Sequence, residues 1–460
     1  MSAFWDLTNV MLIIKGVRNL SLRIMTGRAG SGKSRFLMRL ISELVTNPLE
    51  KIIVIVPGQL TFETEKRIMR ACGVEGILGL EVLSIQRLAY KILEETGSVP
   101  FMTGAEKTMA CRLALQAYDA PFGGTGHLPD FENSLGALFT QLKSHGQTPE
   151  SLRGAARSMT DKGLISKLLQ TADIYEKYME ICGSRLDMAD MYAAAASHAA
   201  GASFLRGAHV FIDGADSYVP SVTSMLAEVM AQAKNTLAAF RTEGSGSDAA
   251  LFASEKRNME RLMNAAKARG IEVQITEHTE MAKRHTSEAL AFLEKNLFCY
   301  PYSPYTDGTD SIKIFEAESP EQEIQALASY IRQHVRGGKR FRDIAVAAGG
   351  LETYLPIIKS VFSSFGIPCF IDERRALSEN AFFVFLYSAL CAASGDTAAA
   401  EGYVFSEYAP LDATERSLLK NYARQYGYKG WHFFGEFRRG AAAAQAEALR
   451  RQVMQPLLAL

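Results

Sequence analysis

The sequence lacks net charge, a cysteine framework and a long apolar run. Fifty basic residues balance fifty acidic ones over 460 positions. No global field therefore draws the chain to nucleic acid, and any such contact must come from local patches. The six cysteines, Cys72, Cys111, Cys182, Cys299, Cys369 and Cys391, are scattered, with no C-x-x-C pair and no histidine at ligand spacing. That usage argues against a zinc site or a disulfide framework within the chain and suits a reducing cytosol. The apolar run near the start that includes Met11 to Ile14 is too short for a signal-peptide core or a membrane span. A cytoplasmic protein that does not enter a membrane is expected. Residues 1–21 read as a leader, because the first clear fold element begins at Leu22.

What is present is enough for two to four packed domains, at 48% hydrophobic content. Leu22 to Thr26 is a short apolar run ending in a glycine loop. The helix predicted from Lys33 carries Phe36, Leu37, Leu40, Ile41 and Leu44 at 3-4 spacing and stops at Asn47-Pro48. "KIIVIVPG" is a continuous apolar run, as a strand buried on both faces of a parallel sheet requires. The helix "FETEKRIMRAC", the strand "LEVLSI" and the helix "QRLAYKILEET" follow, and this alternation predicts a doubly wound α/β domain. From Thr103 to about Ala199 only helical periodicity remains, so an all-helical insertion is expected before strands return at "AHVFIDG" and "NTLAAFRTEG". A second α/β unit is predicted from Ser311, with strands "SIKIFEA", "DIAVAA" and "IPCFID" around two helices and no glycine loop of its own. Beyond Ser378 the pattern is helical again and ends inside an alanine-rich helix, which reads as a fragment of something longer.

The loop "GRAGSGKS", Gly27-Arg28-Ala29-Gly30-Ser31-Gly32-Lys33-Ser34, fits G-x-x-x-x-G-K-S between a strand and an amphipathic helix. Glycines there let backbone N–H groups turn inward around phosphate oxygens at the positive end of the helix. Lys33 is expected to reach the β- and γ-phosphates of ATP, and the Ser34 hydroxyl to ligate Mg²⁺. The plain alternative is a chance glycine turn before a helix.

Hydrolysis needs an acidic site at the end of a second apolar strand, with an Asp for the metal and a neighbouring Glu to orient water. "HVFIDGAD" is the candidate: Asp213 stands where the metal Asp belongs, but Gly214 stands where the Glu is expected. Asp216 is a possible substitute, and Asp213 has the competing reading of a turn or helix cap. Tight binding with slow hydrolysis is the expectation.

"RIMTGRAGSGKSRFL", "VPGQLTFETEKRI", "VLSIQRLAYKIL" and "VFIDGADSYVPSV", in that order, resemble the N-terminal helicase-like half of the AddB/RexB subunit of bacterial AddAB-type ATP-dependent helicase–nucleases. The stretch from Glu318 to Asp372 is similar to the opening of the second motor-like domain of superfamily 1, UvrD-like helicases. The resemblance implies a P-loop domain at 22–102 and 200–295 with a helical insertion at 103–199. It further implies a second RecA-like domain beginning at 305–375 and a second helical insertion at 376–460. It also implies an AddA-type motor subunit as partner, single-stranded and duplex-end DNA as ligands, and scanning of the unwound strand for a recombination hotspot (Chi). The family's nuclease domain and its iron–sulfur cluster have no matching motif in these 460 residues.

By match to the family, Gln59 and Thr61 in "PGQLTF" and Arg87 and Tyr90 in "SIQRLAY" are candidate single-strand contacts. The residue types suit that task, since Gln pairs with base edges, Thr and Arg bind phosphate, and Tyr offers a stacking face. Ile85 and Ala215 stand where the family often has aromatics, so the hotspot cannot be read from them. The competing readings are a helix-start ion pair for Arg87 and a core ring for Tyr90. "RGGKRFR" (Arg336 to Arg342) reads first as a solvated loop and second as a DNA-backbone contact. Two other function classes fit parts of the pattern: a DNA-binding scaffold that no longer uses nucleotide, and an unrelated P-loop ATPase or kinase. The last leaves the second α/β unit unexplained.

Overall fold

The apolar run Ser21–Thr26 (β1) feeds the glycine loop and helix α1 (Lys33–Val45). Strand β2 (Ile52–Ile55), helix α2 (Thr61–Cys72), strand β3 (Leu80–Leu83) and helix α3 (Ile85–Thr96) follow. A computed structural model describes residues 21–97, 101–118, 121–128, 130–214, 218–242, 251–278, 287–371 and 377–459. The expected leader, up to residue 20, and Ala215 and Asp216 lie outside the described residues. The chain divides into two units, Met1–Lys313 and Ile314–Leu460. No helix among the described residues is long and apolar enough to cross a membrane.

In the first unit the strands β4 (His209–Asp213), β5 (Asn235–Phe240) and β6 (Glu272–Glu277) complete one six-stranded sheet in the order β3-β2-β4-β5-β1-β6. Every pairing is parallel. Successive side chains of a strand point to opposite faces, so the sheet feeds two cores. Ile24, Ile53, Ile55, Val210, Ile212 and Ala238 pack on one face under α3 and later helices. Met25, Ile52, Val54, Phe211 and Ala239 pack on the other, under Leu37, Leu40 and Ile41 of α1 and Ile68 of α2. This two-sided burial is why "IIVI" is apolar at every position. Strand β6 has no apolar run to announce it: it lies at the sheet edge with most of its side chains exposed, and its register against β1 creates it.

Between β3 and β4 the chain is helical: α4 (Gly104–Gln116), α5 (Phe131–Ser144), α6 (Pro149–Arg157), α7 (Lys162–Cys182) and α8 (Asp190–His198). Phe139 stacks on Tyr175 at 4.8 Å and contacts Tyr178 at 4.9 Å, forming a core separate from those of the sheet. The same layer buries charge. Asp187 is only 2% exposed and accepts from the Tyr178 hydroxyl at 3.1 Å and from Lys143 at 3.2 Å, with Lys107 at 3.5 Å. Lys143 also donates to Asp190 at 2.6 Å. Three further helices of this unit are α9 (Pro220–Gln232), α10 (Ala253–Ala268) and α11 (Glu288–Asn296).

In the second unit, α12 (Pro320–Arg336) and α13 (Leu351–Ser364) pack through Ile324, Ala328, Ile331, Ile358 and Phe362. A further helical cluster, from Ala389 to Leu457, gathers around Phe433, Leu419 and Val453. The strands expected at "SIKIFEA", "DIAVAA" and "IPCFID" do not form: among the described residues this unit contains no strand. Ile314 is 94% and Phe370 93% exposed. A buried parallel strand depends on a neighbour along each edge, and these segments pair neither with one another nor with another strand.

Lys143→Ala would leave Asp187 buried with a weakened counter-charge, and a loss of about 3 kcal/mol in chemical denaturation is expected. Burial pushes the Asp187 carboxyl up, but Lys143 and Lys107 outweigh it and hold it down to about 2. The sign follows: this stabilisation is complete above the unfolded value near ~4 and is lost as pH falls from there towards 2. Acid unfolding followed by circular dichroism should therefore start at higher pH in the variant.

Candidate functional site at the carboxyl edge of the sheet

Because all six strands are parallel, their carboxyl ends open on one edge. That edge carries the glycine loop after β1, Pro57–Leu60 after β2, Ser84 after β3, Asp213 and Gly214 at β4, Arg241 after β5 and His278 after β6. The chain leaves β1 and crosses over β5 and β4 to reach β2, so the crevice beside β1 is a topological switch point, where doubly wound sheets bind ligands.

The glycine loop is tightly built. A Cβ at Gly27 would lie 2.5 Å from Ser31 Oγ and 2.6 Å from the His278 carbonyl, so no larger residue fits. Gly32 precedes α1 at φ 90° and supplies no side-chain cap, and the first turn of α1 holds no acidic residue. The positive end of the helix is thus left to whatever the loop encloses. Lys33 Nζ donates to the Gly27 carbonyl at 2.6 Å, the Arg28 carbonyl at 2.9 Å and Ser31 Oγ at 3.2 Å. Burial pulls the Lys33 ammonium below the usual lysine range; Arg241 pulls the same way, while Asp213, Glu294 and Glu255 oppose it. A narrow glycine-containing loop with a partly desolvated ammonium has the chemistry to hold a phosphate chain. Ala29 is exposed, and Gly30, Ser31 and Ser34 are half-buried in the same turn.

Asp213 ends β4 in register with Ala239 of β5 and acts electrostatically on Lys33. Gly214 adopts φ 74°, where a glutamate would be strained, although the nearest atoms to its would-be Cβ are 4.0 Å away in Pro57. Backbone conformation, and not crowding, is what disfavours a carboxylate at this position. Three partners of the loop were missed by the sequence reading: Glu294 and Phe252, which carry no local signal, and Arg241. Glu294 lies 266 positions from Arg28, whose Nε donates to it at 3.1 Å. Arg241 follows the β5 residue that pairs with Thr26, and a cation at a strand end is the trace that could have marked it.

The nucleic-acid candidates lie on the neighbouring loops. A Cβ at Gly58 would lie 3.7 Å from Ser84 Cβ, which places the "PGQLTF" turn beside the start of α3. Gln59 is exposed, and Thr61 is half-buried with its hydroxyl donating to the Gly58 carbonyl at 3.0 Å. Ser84 caps α3 by accepting from the Arg87 amide at 3.2 Å, and Arg87 itself is exposed. Tyr90 points elsewhere: its hydroxyl reaches Met188 Sδ at 3.3 Å and its ring meets Phe101 edge-on at 5.4 Å. The exposed ring on this edge is Phe62, 66% exposed with Lys66 Nζ 4.1 Å from its centroid. In the second unit Arg340 forks onto Asp343 at 2.8 and 2.9 Å. His209 is a fully buried strand residue at the amino end of β4, between Glu50 and Asn235, both at 2.9 Å.

Fold and site together define an α/β protein with a doubly wound parallel sheet and a lysine-bearing glycine loop at its switch point. The chain belongs to the family described as "ADDB, N-terminal", whose model matches residues 24–294. Among curated proteins it is similar to a protein of Acetivibrio thermocellus named as one subunit of an ATP-dependent helicase/deoxyribonuclease, with 32% identity over 77% of this chain and 32% of the relative. Proteins of the same name from Clostridium novyi (28% identity, 95% of this chain, 40% of the relative) and Clostridium perfringens (27%, 91% and 38%) are similar to it as well. The chain thus spans well under half the length of these relatives.

Gly27→Ala is expected to lower stability by about 1–3 kcal/mol, because the new methyl must push aside Ser31 and the backbone that follows β6. Thermal unfolding of the ligand-free protein checks it. Ser84→Ala, which removes the α3 cap, should cost about 1 kcal/mol in the same measurement.

Proposed function

We propose that this chain is the ATP-binding and single-strand-binding part of a helicase–deoxyribonuclease subunit that processes DNA double-strand breaks for recombination repair. The observation that carries the reading is the tight glycine loop wrapped around the Lys33 ammonium at the switch point of the sheet. In this reading the first unit is a P-loop NTPase domain of the superfamily 1 helicase type, at 22–102 and 200–295, with 103–199 as its helical insertion. The second unit begins a RecA-like domain at 305–375, followed by a helical insertion at 376–460. The packing of its α12 on α13 is compatible with that assignment.

Gly27 to Ser34 bind the phosphates, with Lys33 as counter-charge to the β- and γ-groups. Ser34 and Asp213 are the residues that would hold Mg²⁺, which supplies charge neutralisation between phosphates. Asp213 is the degenerate remnant of an acidic catalytic site. Gly214 offers no carboxylate to orient water, so hydrolysis by this part is slow and the nucleotide acts as a grip. Gln59, Thr61, Arg87 and Tyr90 are the residues that contact the unwound strand in this reading, and the approach of the Gly58 turn to Ser84 supports it. Hotspot scanning, an AddA-type motor subunit as partner and a cytoplasmic location complete the proposal. The relatives' printed name, with its ATP dependence and its designation of one component among several, supports it.

Titration with a fluorescent ATP analogue is the test. Lys33→Ala should weaken binding at least tenfold, and equal, negligible binding in both proteins would sink the reading. For DNA, Arg87→Ala should weaken single-strand affinity several-fold at low salt and flatten the salt dependence by about 0.7 in slope. An unchanged affinity counts against the strand contact.

A further inference from the structure

Arg28 reaches out of the glycine loop and is held by residues far along the chain. Its Nε donates to both carboxylate oxygens of Glu294, at 3.1 and 3.3 Å, and its Nη2 donates to the Glu294 backbone carbonyl. The guanidinium carbon lies 5.3 Å from the centre of the Phe252 ring. The side chains are 14% and 25% exposed, so the pair is largely withdrawn from water and its attraction is poorly screened. Glu294 sits in the last turn of α11, a helix that buries only one residue, Ala289. Besides Ala289 and the contact of the Phe292 ring with Tyr305 at 5.1 Å, the grip on Arg28 ties α11 to the loop. The same carboxylate acts electrostatically on Lys33, so its charge is felt within the loop.

We propose that Glu294 is an affinity-determining residue of the glycine-loop site: a tethered carboxylate that a polyphosphate ligand must displace from Arg28, releasing α11 from the loop as it binds. This rests on the nucleotide-binding reading above. A triphosphate brings several negative charges next to a fixed one of the same sign, and both compete for the same guanidinium. Binding then costs the Arg28–Glu294 pair, and the lost contact reappears as freedom of residues 288–296. The loop occupant is thereby reported to a helix that itself touches no phosphate.

The experiment pairs titration of a fluorescent ATP analogue with hydrogen exchange of residues 288–296, in the wild type, Glu294→Gln and Lys33→Ala. Glu294→Gln should bind the analogue about tenfold more tightly than wild type and exchange faster at 288–296 without ligand. Wild type should acquire that faster exchange when saturated with the analogue. Binding that depends on Lys33 but is indifferent to Glu294→Gln overturns the latch and leaves the nucleotide reading standing. Slower exchange at 288–296 in the saturated wild type overturns the latch as well. Binding by none of the three proteins overturns both.

Discussion

The candidate site depends on β1 being hydrogen-bonded in parallel on both sides, to β5 through Thr26 opposite Phe240 and to β6 through Thr26 opposite Glu277. Parallel pairing sends every strand's carboxyl end to the same edge, and the β1–β5 ladder fixes where the glycine loop emerges from it. The same ladder sets Arg241 one residue past the strand end, while β6 brings the His278 carbonyl against Gly27. A slip of one residue in either register would exchange the two faces of β1 and pull Leu22 and Ile24 from one core into the other. The loop is therefore closely confined where it leaves the sheet. Its tightness is a property of three strands together.

Electrostatics at this edge are organised around a single ammonium. Lys33 satisfies itself on loop carbonyls, and three carboxylates and one guanidinium act on it from β4, α10, α11 and the end of β5. A partly buried cation with distributed counter-charge is poised to exchange protein partners for an anion without a large change in solvation. The second acidic position of a hydrolytic site is absent at Gly214, whose φ of 74° suits glycine and strains glutamate.

The helical layer between β3 and β4 is stabilised differently. Its core couples stacked rings to a buried network in which Asp187, Asp190, Lys143, Lys107 and Tyr178 satisfy one another. Such a network gains little net energy over apolar packing, but breaking it is costly, so it fixes the order in which these helices meet. Tyr90 belongs to this junction, with Phe101 and Met188 around it.

Much of the central sheet was legible from residues alone. Runs buried on both faces, such as Ile52–Ile55 and Val210–Ile212, have to be apolar at every position, and the glycine loop has to be glycine where Cβ atoms would collide. The start of the helix after β3 was read late: Ser84 and Ile85, expected within the strand, are its cap and first residue. The edge strand β6 was not, because an exposed strand needs no apolar code and exists through its partner. The strands expected after Ser311 show the converse: apolar alternation is written there, but without a neighbouring strand it makes no ladder. The identity of the loop, its lysine and the missing carboxylate at Gly214 were decided by local sequence. Which residues face that lysine was decided by tertiary structure alone, because Glu294 meets Arg28 across 266 positions and no local pattern encodes a contact of that span.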